Sequence, residues 1–137
     1  MKELLIRQIL DELDAQVVRQ AEAVVDETGG ITNQLEDKQI RNVIAVADDT
    51  QSVAVVDNFI KYQIGRSKKN EGWRFGEESG KGFGEAVRTN LEQLKKWANQ
   101  KASGEVKAED LEIRLVRRYL GYLARYFKYK QVHQGGD

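Results

Sequence analysis

The sequence predicts an all-α, single-domain bundle of about five helices, with a glycine-rich basic loop between the third and the fourth. Three observations carry this. None of the 137 residues is proline, so no fixed φ or missing N–H interrupts a helix. Alternation of β-branched and polar residues, the mark of a half-buried strand, is scarce. Apolar residues recur instead at three- and four-residue spacing in nearly every segment, the period that lines one side of a helix. The length suits one domain with its own core, here residues 1–137.

The elements follow in order. A first helix is expected from Lys2 to Glu27, with Leu5, Ile9, Leu13, Val17 and Val24 along one stripe and Gly29-Gly30 breaking it. Its open face is acidic. Asn33 followed by Glu36 has the spacing of a capping box for a second helix. There Ile40, Val43, Ile44 and Ala47 share one side, while Lys38, Arg41 and Asn42 lie on the other. After the break DDTQS, Thr50 or Ser52 can cap a third helix that runs to Ile64, with Gly65 placed as its C-terminal cap. Between Gly65 and Gly84 six residues are glycine, interleaved with Lys68, Lys69, Arg74 and Lys81. Ordering so many glycines is entropically unfavourable, and residues 65–84 are expected to form a mobile basic loop. Trp73 and Phe75 within it serve either as anchors on the core or as platforms for stacked bases. A fourth helix is expected from Phe83 to Lys101, then the linker ASGE, then a fifth from Val106 to Val132 with a frayed tail over 133–137.

Composition narrows the classes of function. With 40% hydrophobic and 32% charged residues the chain fits neither a membrane span nor a disordered segment. No apolar run reaches the ~18 residues of a spanning helix, and the start MKELLIRQILDELD is charged throughout, so a cytoplasmic location with no membrane partner is expected. There is no cysteine and one histidine, a poor basis for structural zinc, and no cofactor is expected. The formal charge is zero but unevenly distributed. Residues 1–60 hold five Lys and Arg against twelve Asp and Glu, and the remainder holds 17 against ten. Such a chain can present one acidic and one basic face, or stack head to tail with copies of itself.

Catalytic groups are few. His133 lies in a polar tail with no partner to orient it, as a general base requires. The pairs Asp48-Asp49 and Glu77-Glu78 are neighbours in sequence and diverge on a helix. In GEESGKGFGEA only three residues separate Gly76 from Gly80, and Gly82 follows Lys81 where a phosphate-binding loop needs a hydroxyl. The third helix offers few base-reading side chains, which disfavours a helix-turn-helix.

The fifth helix is more informative. Leu111, Leu115, Tyr119, Leu120, Tyr122, Leu123, Tyr126 and Phe127 cover one broad side, which is core. Arg114, Arg117, Arg118, Arg125 and Lys128 share the remaining sector, and Glu112 is the only acid between Leu111 and Lys130. A solvated face usually mixes signs, because like charges at i,i+4 repel. The stripe therefore calls for an anion. Phosphate is one; the acidic first helix, of the same or a neighbouring molecule, is another. In NFIKYQIGR, Lys61 points away from the apolar face of the third helix and Arg66 emerges just past its cap, and the two pose the same question.

Three segments taken together resemble the small α-helical subunit of type III-A CRISPR (Csm) effector complexes. ITNQLEDKQIRNVIAV resembles the family's threonine-led helix with its Leu/Ile-Arg-Asn element. FIKYQIGR resembles its aromatic, lysine-bearing helix ending in Gly-Arg, and RRYLGYLARYFKYKQ its tyrosine-rich terminal helix. The resemblance implies a noncatalytic helical bundle that lines the guide RNA and its paired target, contacting backbone while base pairing reads sequence. It implies guide RNA, target RNA, other effector subunits and further copies of the chain as partners. It assigns phosphate contacts to Arg41, Lys61 and Arg66, then Arg118 and Arg125. The first helix and the loop GWRFGEESGKGFG carry no motif of that family. With Lys68, Lys69 and Arg74 of the loop and Arg114 and Lys128 of the stripe, these residues form the expected nucleic-acid-binding set. The alternative is an adaptor whose basic stripe receives an acidic protein surface.

Overall fold

A computed structural model describes residues 1–28 and 37–134 of the chain. Among them all regular structure is helical, in five α-helices and two 3₁₀ turns. The α-helices are α1 (Lys2–Thr28), α2 (Asp37–Asp48), α3 (Val53–Arg66), α4 (Phe83–Lys101) and α5 (Ala108–Gln134); the turns are Gly72–Arg74 and Glu77–Ser79. The Asn33–Glu36 capping box lies outside the described residues.

The core is organised around α5, which packs against each of the other four α-helices. This explains why its buried set is wider than one stripe. Besides Leu111, Leu115, Tyr119, Leu120, Leu123 and Phe127, the side chains of Ile113 and Val116 are fully buried. From α1 the buried row is Ile6, Ile9, Leu10, Leu13, Val17, Ala21, Val24 and Val25, at three- and four-residue spacing, on a helix that packs against α5 and α4. Each fully buried Leu or Ile of such a row contributes roughly 1.5–3 kcal/mol of transfer free energy.

The two ends of α3 differ: a hydroxyl closes the C-terminal end, whereas at the start Ser52 makes no side-chain cap bond. At its start Ser52 occupies the cap position in extended conformation, and its own N–H donates to Thr50 Oγ1 over 3.1 Å. At its end the helix does not stop at Gly65. It continues to Arg66, and Ser67 closes it by donating its N–H to the Ile64 carbonyl (3.1 Å) and its hydroxyl to the Gln63 carbonyl (2.7 Å). A serine that can satisfy orphan carbonyls removes the need for a left-handed glycine cap.

The segment 65–84 is also more structured than the mobile loop its glycines predict. Asn70 organises it: its side-chain oxygen accepts the Gly76 N–H (3.0 Å), and its own N–H donates to Glu77 Oε1 (2.9 Å). Arg74 pairs with Glu77 at 2.8 Å and reaches the Ser67 carbonyl at 3.3 Å. Trp73 is fully buried with its ring 5.4 Å from that of Phe83, so of its two sequence readings the anchor is the one realised. Gly84, in the first turn of α4, makes this packing possible: a Cβ there would stand 2.5 Å from Ile64 Cγ1 and 2.9 Å from the Trp73 carbonyl oxygen. α5 begins at Ala108, because Val106 is used in the preceding turn, where it is buried and exchanges hydrogen bonds with Ser103.

Candidate nucleic-acid interface

The basic stripe of α5 divides when its partners are traced. Arg114 forms a fork with Glu3 (2.9 and 3.0 Å) and a second bond to Asp110 (3.2 Å). The Glu3 hydrogen bond, with Asp110, holds this guanidinium above its ordinary value despite partial burial. Arg118 bridges Asp11 (3.2 Å) and Asp14 (3.0 Å), and Tyr122 donates to the other Asp14 oxygen at 2.6 Å. Arg117 pairs with no acid among the described residues; it donates to the carbonyls of Ala47 (2.9 Å) and Thr50 (2.8 Å), closing the C-terminal end of α2. Further along, Tyr126 and Lys130 both reach Asp26, and Lys128 lies 3.5 Å from Asp37. The anion called for by this stripe is supplied within the molecule, mainly by the acidic face of α1. Arg114 and Arg118 therefore clasp α1 to α5, and an adaptor surface made of the whole stripe is already occupied. Arg125 differs: it is exposed and lies over the Tyr122 ring at 5.8 Å.

The remaining expected cations lie mostly on α2, α3 and the start of the loop. A cleft of about 450 Å³ opens there, lined by Lys38, Asn42, Gln63, Arg66, Ser67 and Lys68, with Glu71 and Gly72 at its loop side. Among the described residues no carboxylate forms an ion pair with Lys38, Arg66 or Lys68. Arg41 is exposed one turn after Lys38 on the same side of α2, and Lys69 is exposed beside Lys68. Lys61 stands on the outer side of α3, 3.5 Å from Asp57 and 55% exposed. Arg74 has been drawn away into its pair with Glu77.

Two details give the cleft its chemistry. Gln63 is the one buried polar residue among the described residues, 6% exposed, and it lines the cleft. The carboxamide of a glutamine that lines a cleft can both donate to and accept from a polar ligand or solvent there. Arg66 lies over the Tyr62 ring, 5.5 Å from its centroid, and carries the cationic surface out to an aromatic that is 57% exposed.

Sequence reasoning placed Lys38 beside Arg41 and Asn42 on the open side of the second helix but did not join it to Arg66 and Lys68. It passed over Gln63 altogether. The available signal was a polar residue at a core position of an apolar helix, between Ile60 and Ile64. Among the described residues no group of three or more His, Asp or Glu side chains is placed to hold a metal ion, and no helix is long and apolar enough to cross a membrane. No protein-family model, characterised protein or solved structure matches the chain.

Proposed function

We propose that this chain is a noncatalytic, RNA-backbone-binding structural subunit of a type III CRISPR ribonucleoprotein, acting with guide RNA, target RNA, other effector subunits and further copies of itself. The observation that carries the proposal is the convergence of Lys38, Arg66 and Lys68, unpaired by acids of the described residues, on one polar cleft. Arg66 belongs to the FIKYQIGR element of the resemblance, and Arg41, on the rim of the same surface, belongs to its Ile-Arg-Asn element. Guanidinium and ammonium groups donate charge-assisted hydrogen bonds to phosphate oxygens, and such contacts set affinity and register while base pairing supplies sequence. Lys69, beside Lys68, extends the surface, and Lys61 and Arg125 are further exposed cations of the expected set.

The test is an RNA-binding titration across salt concentrations, on the chain alone and within an assembled complex. Binding should weaken steeply with salt, and Arg41→Ala or Arg66→Ala should each reduce the logarithmic slope by about 1 for every phosphate no longer neutralised. Arg114→Ala should leave that slope unchanged, because its guanidinium is engaged with Glu3. RNA binding that is absent in both settings, or insensitive to salt, would sink the proposal.

A further inference from the structure

The last turn of α3 holds more than phosphate-binding charge. Tyr62, Arg66 and Gln63 occupy one continuous sector of the helix, since steps of 100° per residue put Arg66 between the other two. Tyr62 is 57% exposed and tilts against Phe59 at 6.2 Å, while Phe59 is itself packed on the core. The ring is therefore braced from behind, with the Arg66 guanidinium 5.5 Å from its centroid. Its hydroxyl makes no hydrogen bond among the described residues. The hydroxyls of Tyr119, Tyr122 and Tyr126, by contrast, meet Asn90, Asp14 and Asp26. Those three rings hold the bundle together; Tyr62 does not.

Phosphate contacts do not need this arrangement. A continuous duplex keeps its bases stacked on one another, so an exposed ring beside a cationic cleft finds no free base face in it. An unpaired nucleotide can use ring, amide and cations together: its base stacks on aromatic and guanidinium surfaces, its sugar and base edges take amide hydrogen bonds, and its phosphates take the cations. We infer that Tyr62 and Arg66 form a stacking platform for an unpaired base, with Gln63 meeting its polar groups, so that the cleft takes a single-stranded stretch or an interruption in a duplex. This rests on the RNA-backbone reading and adds to it the class of nucleotide bound.

The test uses a fluorescently labelled oligouridylate, which stacks little on itself, and the same strand fully paired to oligoadenylate. Tyr62→Ala should weaken single-strand binding about ten- to a hundredfold, the range expected for loss of one stacked base. It should leave duplex binding and its salt slope unchanged. Tyr62→Trp should restore single-strand binding, and circular dichroism should show both variants folded. RNA binding with no effect of Tyr62→Ala, or with equal weakening on both strands, overturns the platform and leaves backbone binding standing. If Tyr62→Ala instead lowers self-association measured without RNA, the ring is a contact between copies and the inference fails. Absence of RNA binding at every salt concentration, both by the parent chain alone and within an assembled complex, overturns the backbone reading itself.

Discussion

Gly84 and Asp57 show how single side chains fix the region behind the cleft. Any Cβ at residue 84 meets the Trp73 carbonyl at 2.9 Å, and a backbone atom cannot move aside as a side chain can. Gly84→Ala should therefore destabilise the fold by about 1–3 kcal/mol, although alanine is the better helix former. Urea denaturation checks this, and an unchanged midpoint would refute the tight packing of α3, α4 and Trp73. Asp57 receives both arms of the Arg88 fork, at 2.7 and 3.3 Å, and also Lys61. Burial favours its neutral form, but the hydrogen bonds and charge of Arg88, with Lys61, outweigh this and hold the carboxyl below its ordinary 3.8. A carboxyl depressed in the folded state contributes stability above its unfolded value, and that contribution is lost as pH falls through the folded one. Asp57→Asn should thus be less stable than the parent at neutral pH, by about 1 kcal/mol or less. The gap should close as the pH falls below about 4. Denaturation across a pH series reads it; a gap that persists at low pH would assign the effect to something other than charge.

At the scale of elements, the notable pairing is α1 with α5. Glu3, Asp11, Asp14 and Asp26 on one helix meet Arg114, Arg118, Tyr122, Tyr126 and Lys130 on the other. A double-mutant cycle on Asp14→Ala and Arg118→Ala should give a coupling of about 0.5–1 kcal/mol that shrinks in molar salt, since both side chains are about a third exposed. Zero coupling at low salt would show that the clasp adds nothing to the fold. This pairing also marks where the sequence stops being legible. The existence and type of the helices, and the apolar stripes of α1 and α5, follow from periodicity within each segment. The counter-anion of the α5 stripe does not, because Arg114 and Glu3 are separated by 111 positions and only the packed bundle joins them. Periodicity likewise placed Lys38 on the open face of its own helix, and the expected cap at Gly65 placed Arg66 just past the end of the next. That the two faces line one cleft depends on how α2 sits beside α3. Ser67, read as mere loop, closes α3 only because the Gln63 carbonyl lies within reach of its hydroxyl.

For the molecule as a whole, the internal clasp has a kinetic meaning. The chain carries 22 cationic and 22 anionic side chains, and many of the cations of its basic half are held against acids of its acidic half. Fields from such pairs cancel within a few ångströms, so the molecule exerts little long-range pull on a polyanion. Its association with RNA should proceed at the ordinary unsteered rate, about 10⁵–10⁶ M⁻¹s⁻¹, and vary little with salt. Salt should act instead on dissociation, where the few cations of the cleft let go of phosphate. Stopped-flow mixing separates the two rates, and an association rate that climbs steeply as salt is lowered would show that the net-neutral surface does steer. On the proposed reading, a protein built in this way would meet RNA by being delivered to it or by chance encounter, and its charges would govern how long it stays.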